Sequence, residues 1–357
     1  MLLNRQDRRI EEMESDSPEL VRVSGSVFAG SGQRLHELTA VTALVLCVGS
    51  GLTVMARYWW FADLLANLRV QAVMGLGIVS VAAWMQRHWR LLALLCLAAA
   101  FHAVYFLPAF EPPSLSTEAP VITVAPTITV MTANVNTVNR RYVAIENELT
   151  HSGADVIAVI ELSPELHEHL SFDFQALYPF SFVDPQGEGN FGIGLYSRLP
   201  LEQATIEYYN ELSISSISAE LQVHGQRLRI IATHPLPPMS SRAYESRNQH
   251  LRRLADAVRQ SRNDQPDVPV IVMGDLNLTP WSPVFADFET STDLKSAYRG
   301  QGLTPTWYRF SGFPFGLILD HVLATPDVQC SEYKVGSDIG SDHRCVTARF
   351  NLRQPVR

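Results

Sequence analysis

Hydrophobic positions fall along this chain in two regimes. Between residues 35 and 110 they are nearly continuous: Leu38–Ala56 and Leu91–Phe110 hold no charged residue. Val70–Met85 is a shorter run that reaches back through Leu64–Leu68 if Arg69 extends its guanidinium to an interface. About 20 apolar residues cross the hydrocarbon of a bilayer, so the first and third runs predict spanning helices and the second predicts one at about 66–85. Trp59, Trp60, Trp84, Trp89 and Tyr105 stand near the run ends, where an aromatic belt would meet the two interfaces.

Beyond residue 120 the pattern shortens and alternates. Thr127–Ala133 reads as a strand ending at Asn134, and Tyr142–Ser152, with Ile145 and Leu149, as a helix. Asp155–Ile160 is a continuous apolar strand that stops at Glu161, and Gly192–Ser197 is another. Ile214–Val223 and Leu228–Thr233 predict a hairpin turning at Gly225, with His234 at its end. Arg242–Gln260 is a long amphipathic helix carrying Leu251, Leu254 and Val258. The strand Val270–Met273 stops at Gly274, and Ile318–Thr325 and His343–Asn351 complete the set. Strands outnumber helices, and the helices fall between strand pairs. The predicted class is therefore α+β: a four-layer sandwich of two packed mixed β-sheets flanked by helices, preceded by an N-terminal transmembrane helical anchor.

Composition refines this into segments. Residues 1–33 are polar and charged and predict a disordered cytoplasmic tail. Residues 34–110 predict an anchor of three helices at about 38–56, 66–85 and 91–110. The Pro/Ser-rich stretch 111–121 predicts a stiff linker, and 122–357 the catalytic domain. With three spans, Arg5, Arg8, Arg9, Arg22, Arg34, Arg87 and Arg90 share one side and only Arg57 and Arg69 the other. That bias places the N-terminus in the cytoplasm and the large domain outside, as in a multi-pass protein of the cell inner membrane with a periplasmic domain. Two spans would return the domain to the cytoplasm. Beyond residue 111 the chain has 19 Lys+Arg against 27 Asp+Glu, which disfavours tight nonspecific binding of a polyanion. Cys330 and Cys345 could pair in an oxidising compartment; no cysteine shows metal-site spacing.

Strand after strand ends in a residue able to do chemistry: Asn134, Glu161, His234, Asp275 with Asn277, Asp320, and Asp342-His343 entering the last strand. Each alone reads as turn chemistry. Six independent turns are a poorer account than one shared cluster beyond the strand ends, where layered α/β proteins place their sites.

These residues, in this order, resemble the endonuclease/exonuclease/phosphatase superfamily, the deoxyribonuclease I-like fold. The matching stretches are Met131–Val135, Val159–Glu161, Gly194–Arg198, Thr233–Pro235, Gly274–Asn277, Leu319–Val322 and Ser341–Arg344. The anchor and the Thr233–Pro238 stretch look most similar to the superfamily's membrane-anchored bacterial branch. The resemblance implies cleavage of a phosphodiester or phosphomonoester with Mg²⁺ or Mn²⁺ as cofactor. Glu161 would be the main metal ligand, helped by Asn134 and Asp342, through hard oxygen donors that suit those ions better than zinc. Asp275 would activate the water, and Asn277 would hold that water or a phosphoryl oxygen. His343 and His234 would donate to phosphoryl oxygens, with Asp320 orienting His343. Two departures are Ile160 where many members have Gln before the acid, and Cys345 where proline is common. The partners expected are a phosphoester (lipid headgroup, small phosphoester or nucleic acid) and the lipid bilayer through the N-terminal helices; no protein partner is inferable. The alternatives are an extracellular or periplasmic nuclease and a catalytically inactive binding scaffold.

Overall fold

The computed structural model describes residues 18–111, 126–309 and 316–352. The expected tail over 1–17 and most of the expected linker therefore lie outside the described residues. Helix α1 spans Pro18–Leu52 and so begins inside the stretch expected to be a polar tail; α2 spans Trp60–Asn67, α3 Arg69–Met85 and α4 Trp89–Ala103. Two stretches, Gly32–Met55 and Trp89–Phe110, are long and apolar enough to cross a membrane. Helices α2 and α3 qualify only as a pair, bent by 69° at the break between them.

The chain packs as two compact units. One comprises Met1–Gly51 with Ala72–Phe101, and the other Leu52–Gln71 with His102–Arg357. In the first, Ala43, Leu76, Val79, Ala83 and Leu95 are buried together. The second holds the sheets, and it also contains α2 and the short 3₁₀ segment Val104–Phe110. Hydropathy alone assigns both of those to the anchor.

In this second unit the chain runs β1 (Thr127–Asn134), α5 (Tyr142–His151), β2 (Val156–Ile160), α6 (Pro164–Leu170), α7 (Asp173–Leu177), β3 (Phe180–Asp184) and β4 (Ile193–Ser197). It continues through β5 (Glu202–Tyr208), β6 (Ser215–Val223), β7 (Gln226–Ala232), α8 (Ser241–Asp264), β8 (Val270–Asp275) and α9 (Pro283–Thr292). Strands β9 (Lys295–Ser296), β10 (Asp320–Ala324), β11 (Val328–Val335) and β12 (Val346–Leu352) close it. One sheet has the order β11-β12-β1-β2-β4-β3 and the other β5-β6-β7-β8-β10-β9. Each sheet has one parallel pair at its centre, β1 with β2 and β7 with β8, and antiparallel neighbours around it. Residues from both sheets, among them Ile128, Ile160, Ile217, Ile230 and Phe350, form the core between them. Helices α5–α7 cover the outer face of one sheet, and α8 and α9 that of the other. This is the four-layer sandwich expected.

The local reasons are ordinary ones. All five residues of β2 are buried, which is why it reads as an unbroken apolar run. The β6–β7 hairpin turns on His224 and Gly225 with φ of 50° and 84°, the left-handed pair of a type I′ turn. The Ser240 side chain accepts from the Ala243 N–H at the start of α8, and Ser282 does the same for Val284 before α9. Cys330 packs against the core between the sheets and Cys345 beneath α5, on the opposite face of its sheet, and both are free thiols.

Candidate active site

The two central parallel pairs end at the same edge of the sandwich. Asn134 closes β1 and Glu161 follows β2; Asp275 closes β8 and His234 lies two residues past β7. The antiparallel neighbours begin there: Asp320 opens β10 directly opposite Asp275, and His343 precedes β12. All the expected site residues therefore gather around one cleft, although they are spread over more than two hundred positions of sequence. The cleft has a volume of about 370 Å³.

Asp275 is its centre. It is 1 % exposed, and its Oδ2 faces Asn134 Nδ2 at 3.1 Å, His234 Nε2 at 3.5 Å and His343 Nε2 at 3.6 Å. Its Oδ1 accepts from the Asn277 N–H at 2.9 Å. His343 Nδ1 donates to Asp320 Oδ2 at 2.8 Å, so the imidazole lies between two carboxylates. Burial alone would lower the His343 pKa, but Asp320 and Asp275 outweigh it and raise it to about 10; the ring is a cation at neutral pH. Burial raises the Asp275 carboxyl well above its ordinary range, the His343 cation opposing it. His234 goes the other way: burial first, then the neighbouring His343 and His250, push it down to about 3, so it is neutral.

Glu161 Oε1 accepts from Asn134 Nδ2 at 2.9 Å, and Glu161 Oε2 from the Thr137 N–H at 3.4 Å. Burial raises its pKa, against the Asn134 hydrogen bond. Asp342 stands exposed at the cleft mouth, its oxygens held by Asn136 Nδ2 at 3.2 Å and Trp307 Nε1 at 3.0 Å. Glu161 and Asn277 both adopt left-handed backbone conformations, with φ of 60° and 52°, which few non-glycine residues accept outside constrained sites. Gly274 has φ 149°, and a Cβ there would meet the Thr233 carbonyl at 1.8 Å. Only glycine lets β7 and β8 close this tightly beside Asp275.

Glu161, Asp275 and Asp342 line the cleft with His234 and His343, and no lysine or arginine is among the described residues that line it. A surplus of carboxylate oxygens with one imidazolium is a donor set that fits a hard divalent cation. A buried Asp275–Asp320–His343 group also lies close enough to hold an ion. Within it His343 Nδ1 donates to Asp320 Oδ2, while His343 Nε2 lies 3.6 Å from Asp275 Oδ2. Asn134 turns its donor toward Glu161 and Asp275, while its Oδ1 accepts from the Asn136 N–H at 3.1 Å. Asn277 Nδ2 donates to the Pro235 carbonyl at 2.9 Å, which ties the His234 loop to the end of β8.

Several contributors carried no sequence signal. Trp307 holds Asp342, and the Thr306 hydroxyl accepts from the Asp320 N–H at 3.0 Å. The larger contribution of this kind comes from α2. The Asp63 carboxylate pairs with Arg247 Nη1 at 2.9 Å, both side chains fully buried, and Arg247 also donates to the Asn277 carbonyl at 3.3 Å. Asn67 Oδ1 accepts from the Thr279 N–H at 2.7 Å and from its hydroxyl at 2.9 Å, and Trp281 Nε1 donates to the Asn67 carbonyl. The loop after Asp275 is thus fastened to a segment that lies between apolar helices. Arg198 and Arg344 are not in the cleft lining: Arg198 lies over the Tyr178 ring, and Arg344 pairs with Asp338 at 3.3 Å.

A sequence model of the Endonuclease/Exonuclease/phosphatase family matches residues 131–343, which takes in every expected site residue. The chain belongs to this family. No curated protein matches the sequence. Among solved structures, the catalytic domain of human Nocturnin with bound sulfate superposes with a TM-score of 0.54 at 18 % identity, covering 65 % of this chain and 97 % of that one. D. rerio TDP2 complexed with a single-strand DNA product gives 0.53 at 18 % identity, covering 63 % and 99 %. An endonuclease/exonuclease/phosphatase from Beutenbergia cavernae gives 0.52 at 22 % identity, covering 64 % and 72 %. At these identities the likeness is one of fold.

Proposed function

We propose that this member of the Endonuclease/Exonuclease/phosphatase family is a membrane-tethered, divalent-metal-dependent phosphoesterase. The observation that carries the reading is the buried relay Asp275–His343–Asp320 beside Glu161 at the floor of one cleft. Asp275, its pKa raised by burial, takes a proton from the attacking water. The His343 cation and the neutral His234 donate to the phosphoryl oxygens as charge builds there, and Asp320 holds the His343 ring in its donating orientation. Asn134 bridges Glu161 and Asp275 and sets their spacing. Asn277 positions Asp275 through its backbone N–H and leaves its side-chain oxygen for water. Mg²⁺ or Mn²⁺ would be held by Glu161 with Asp342, and when bound it would neutralise the phosphate and the leaving oxygen.

The proposed membrane topology is argued from connectivity. Segments 52–71 and 102–352 belong to one compact unit, so they share one side of a bilayer. Between them the chain runs out along α3 and back along α4, and in this reading both cross. With α1 that makes three spans. The arginine bias then puts the N-terminus in the cytoplasm and the catalytic unit outside, in a bacterial cell on the periplasmic face of the inner membrane. Among the described residues that line the cleft there is no lysine or arginine, and a nuclease would need several phosphate contacts.

The test is hydrolysis of bis-p-nitrophenyl phosphate by the full chain in lipid nanodiscs with Mg²⁺ or Mn²⁺. Turnover should vanish in EDTA and in Asp275→Asn. Turnover that survives both would refute the mechanism.

A further inference from the structure

Helix α2 presents its residues the wrong way round for a helix at a water-exposed surface. Its polar Asp63 and Asn67 are buried against the catalytic fold, whereas Phe61 and Leu68 are 40 % and 42 % exposed and Leu65 is partly exposed. Phe61 and Leu65 in the helix and Leu68 at its C-terminal cap form one apolar stripe facing outward. Trp59 just before the helix is 43 % exposed, and in the same unit Leu107 and Phe110 are exposed at 61 % and 64 %. Such a face is stable against lipid, not against water. The helix is fixed in place by the Asp63–Arg247 pair and the Asn67–Thr279 bonds.

The same helix forms one wall of the catalytic cleft. Leu64 and Asn67 line it, and around them the mouth is apolar: Phe191, Leu236, Pro237, Met239 and Leu317. Met239 is 73 % exposed, a long flexible apolar side chain at the rim. The floor, by contrast, is the carboxylate and imidazole cluster, with no lysine or arginine among the described lining residues to grip further phosphates.

We propose that the rim is a binding subsite for the alkyl chain of an amphiphilic phosphoester taken from the bilayer, whose single phosphate reaches the Asp275–His343 floor. The subsite rests on the phosphoesterase reading above and names the class of ester it acts on. The apolar part lies along Leu64, Leu236 and Met239, and the lipid-facing stripe of α2 places that mouth at the membrane surface. Hydrolysis adds water across one P–O bond. It releases the leaving alcohol or phenolate and a phosphate monoester that keeps the chain.

The experiment compares methyl, butyl and octyl p-nitrophenyl phosphate diesters as substrates of the full chain in nanodiscs with Mg²⁺. Each buried methylene is worth about a fourfold gain in affinity, so kcat/KM should rise at least about tenfold from methyl to octyl. Simple partitioning of the octyl ester into the disc would raise it too. Leu64→Ser and Met239→Ser separate the two, because partitioning is blind to them and the subsite is not: each should lower the octyl-to-methyl ratio at least about threefold. A ratio near one, or one untouched by both variants, overturns the subsite while leaving the phosphoesterase reading intact. No release of p-nitrophenolate from any diester overturns both. A single-stranded oligonucleotide cut with higher kcat/KM than the octyl ester would assign the cleft to nucleic acid instead.

Discussion

Replacing Asp63 by alanine tests whether the connector between the apolar helices is a structural part of the catalytic unit. In the native fold the Asp63 carboxylate meets the Arg247 guanidinium at 2.9 Å, and neither side chain has exposed surface. Asp63 also accepts from Ser282 Oγ at 3.2 Å. Without the carboxylate, Arg247 keeps only neutral partners among the described residues, the Asn248 side-chain oxygen, the Asn277 carbonyl and the Tyr244 ring. A guanidinium buried without its counter-charge costs about 3–5 kcal/mol. For a unit of this size that lowers the unfolding midpoint on the order of 10 °C, readable by thermal unfolding of the full chain in nanodiscs. The double variant Asp63→Ala/Arg247→Met removes the stranded charge and should recover at least half of the loss. A single variant within about 1 kcal/mol of the parent, or a double variant no better than the single, would refute the reasoning. Activity should fall with stability, because Arg247 also holds the carbonyl of Asn277.

Three further outcomes are expected. His343→Ala should cost about 10²–10⁴ in kcat, and Asp320→Asn less. Because Asp320 is a main cause of the raised His343 pKa, Asp320→Asn should also move the alkaline limb of the pH–rate profile toward neutrality; an unmoved limb removes His343 as the acid. His250 is buried and held neutral with its pKa down at about 3, its Nδ1 accepting from Asn210 while its Nε2 donates to the Thr233 hydroxyl. In the unfolded chain it would take up a proton near pH 6.5 that the folded chain refuses. Stability from this group is therefore complete above about pH 6.5 and falls toward pH 3 by on the order of 1 kcal/mol per pH unit. Denaturant midpoints at pH 7 and 5, compared with those of His250→Gln, read that slope, which the variant should flatten. Gly274→Ala forces a methyl into the Thr233 carbonyl at a φ alanine avoids, so it should unfold the unit or abolish turnover, and a variant with wild-type midpoint and rate would contradict that packing.

Much of this was legible before any coordinates. The strands buried on both faces, β2 and β8, read as apolar runs, and the residues ending them, Glu161 and Asp275, are where the site lies. Strands β5 and β11, at sheet edges and largely half-exposed, break their alternation with charges and carry no clear strand pattern. Asp63 and Asn67 were not legible at all. A charged residue between apolar runs looks like a link, and nothing local marks Arg247 as its partner 184 positions away.

Sequence by itself therefore determined the central elements, the family and the candidate site residues, because each depends on short-range periodicity or on motifs a few residues long. Tertiary structure alone decided three other things. Asp275 sits between His234 and His343 because two parallel strand pairs end at one edge. The Asn277 side chain ties down a loop, because the Pro235 carbonyl is within its reach. The segment 52–71 belongs to the unit that holds the sheets, tied there by the buried Asp63–Arg247 pair and the Asn67–Thr279 bonds. Those are contacts between residues far apart in sequence, and only the folded chain brings them together.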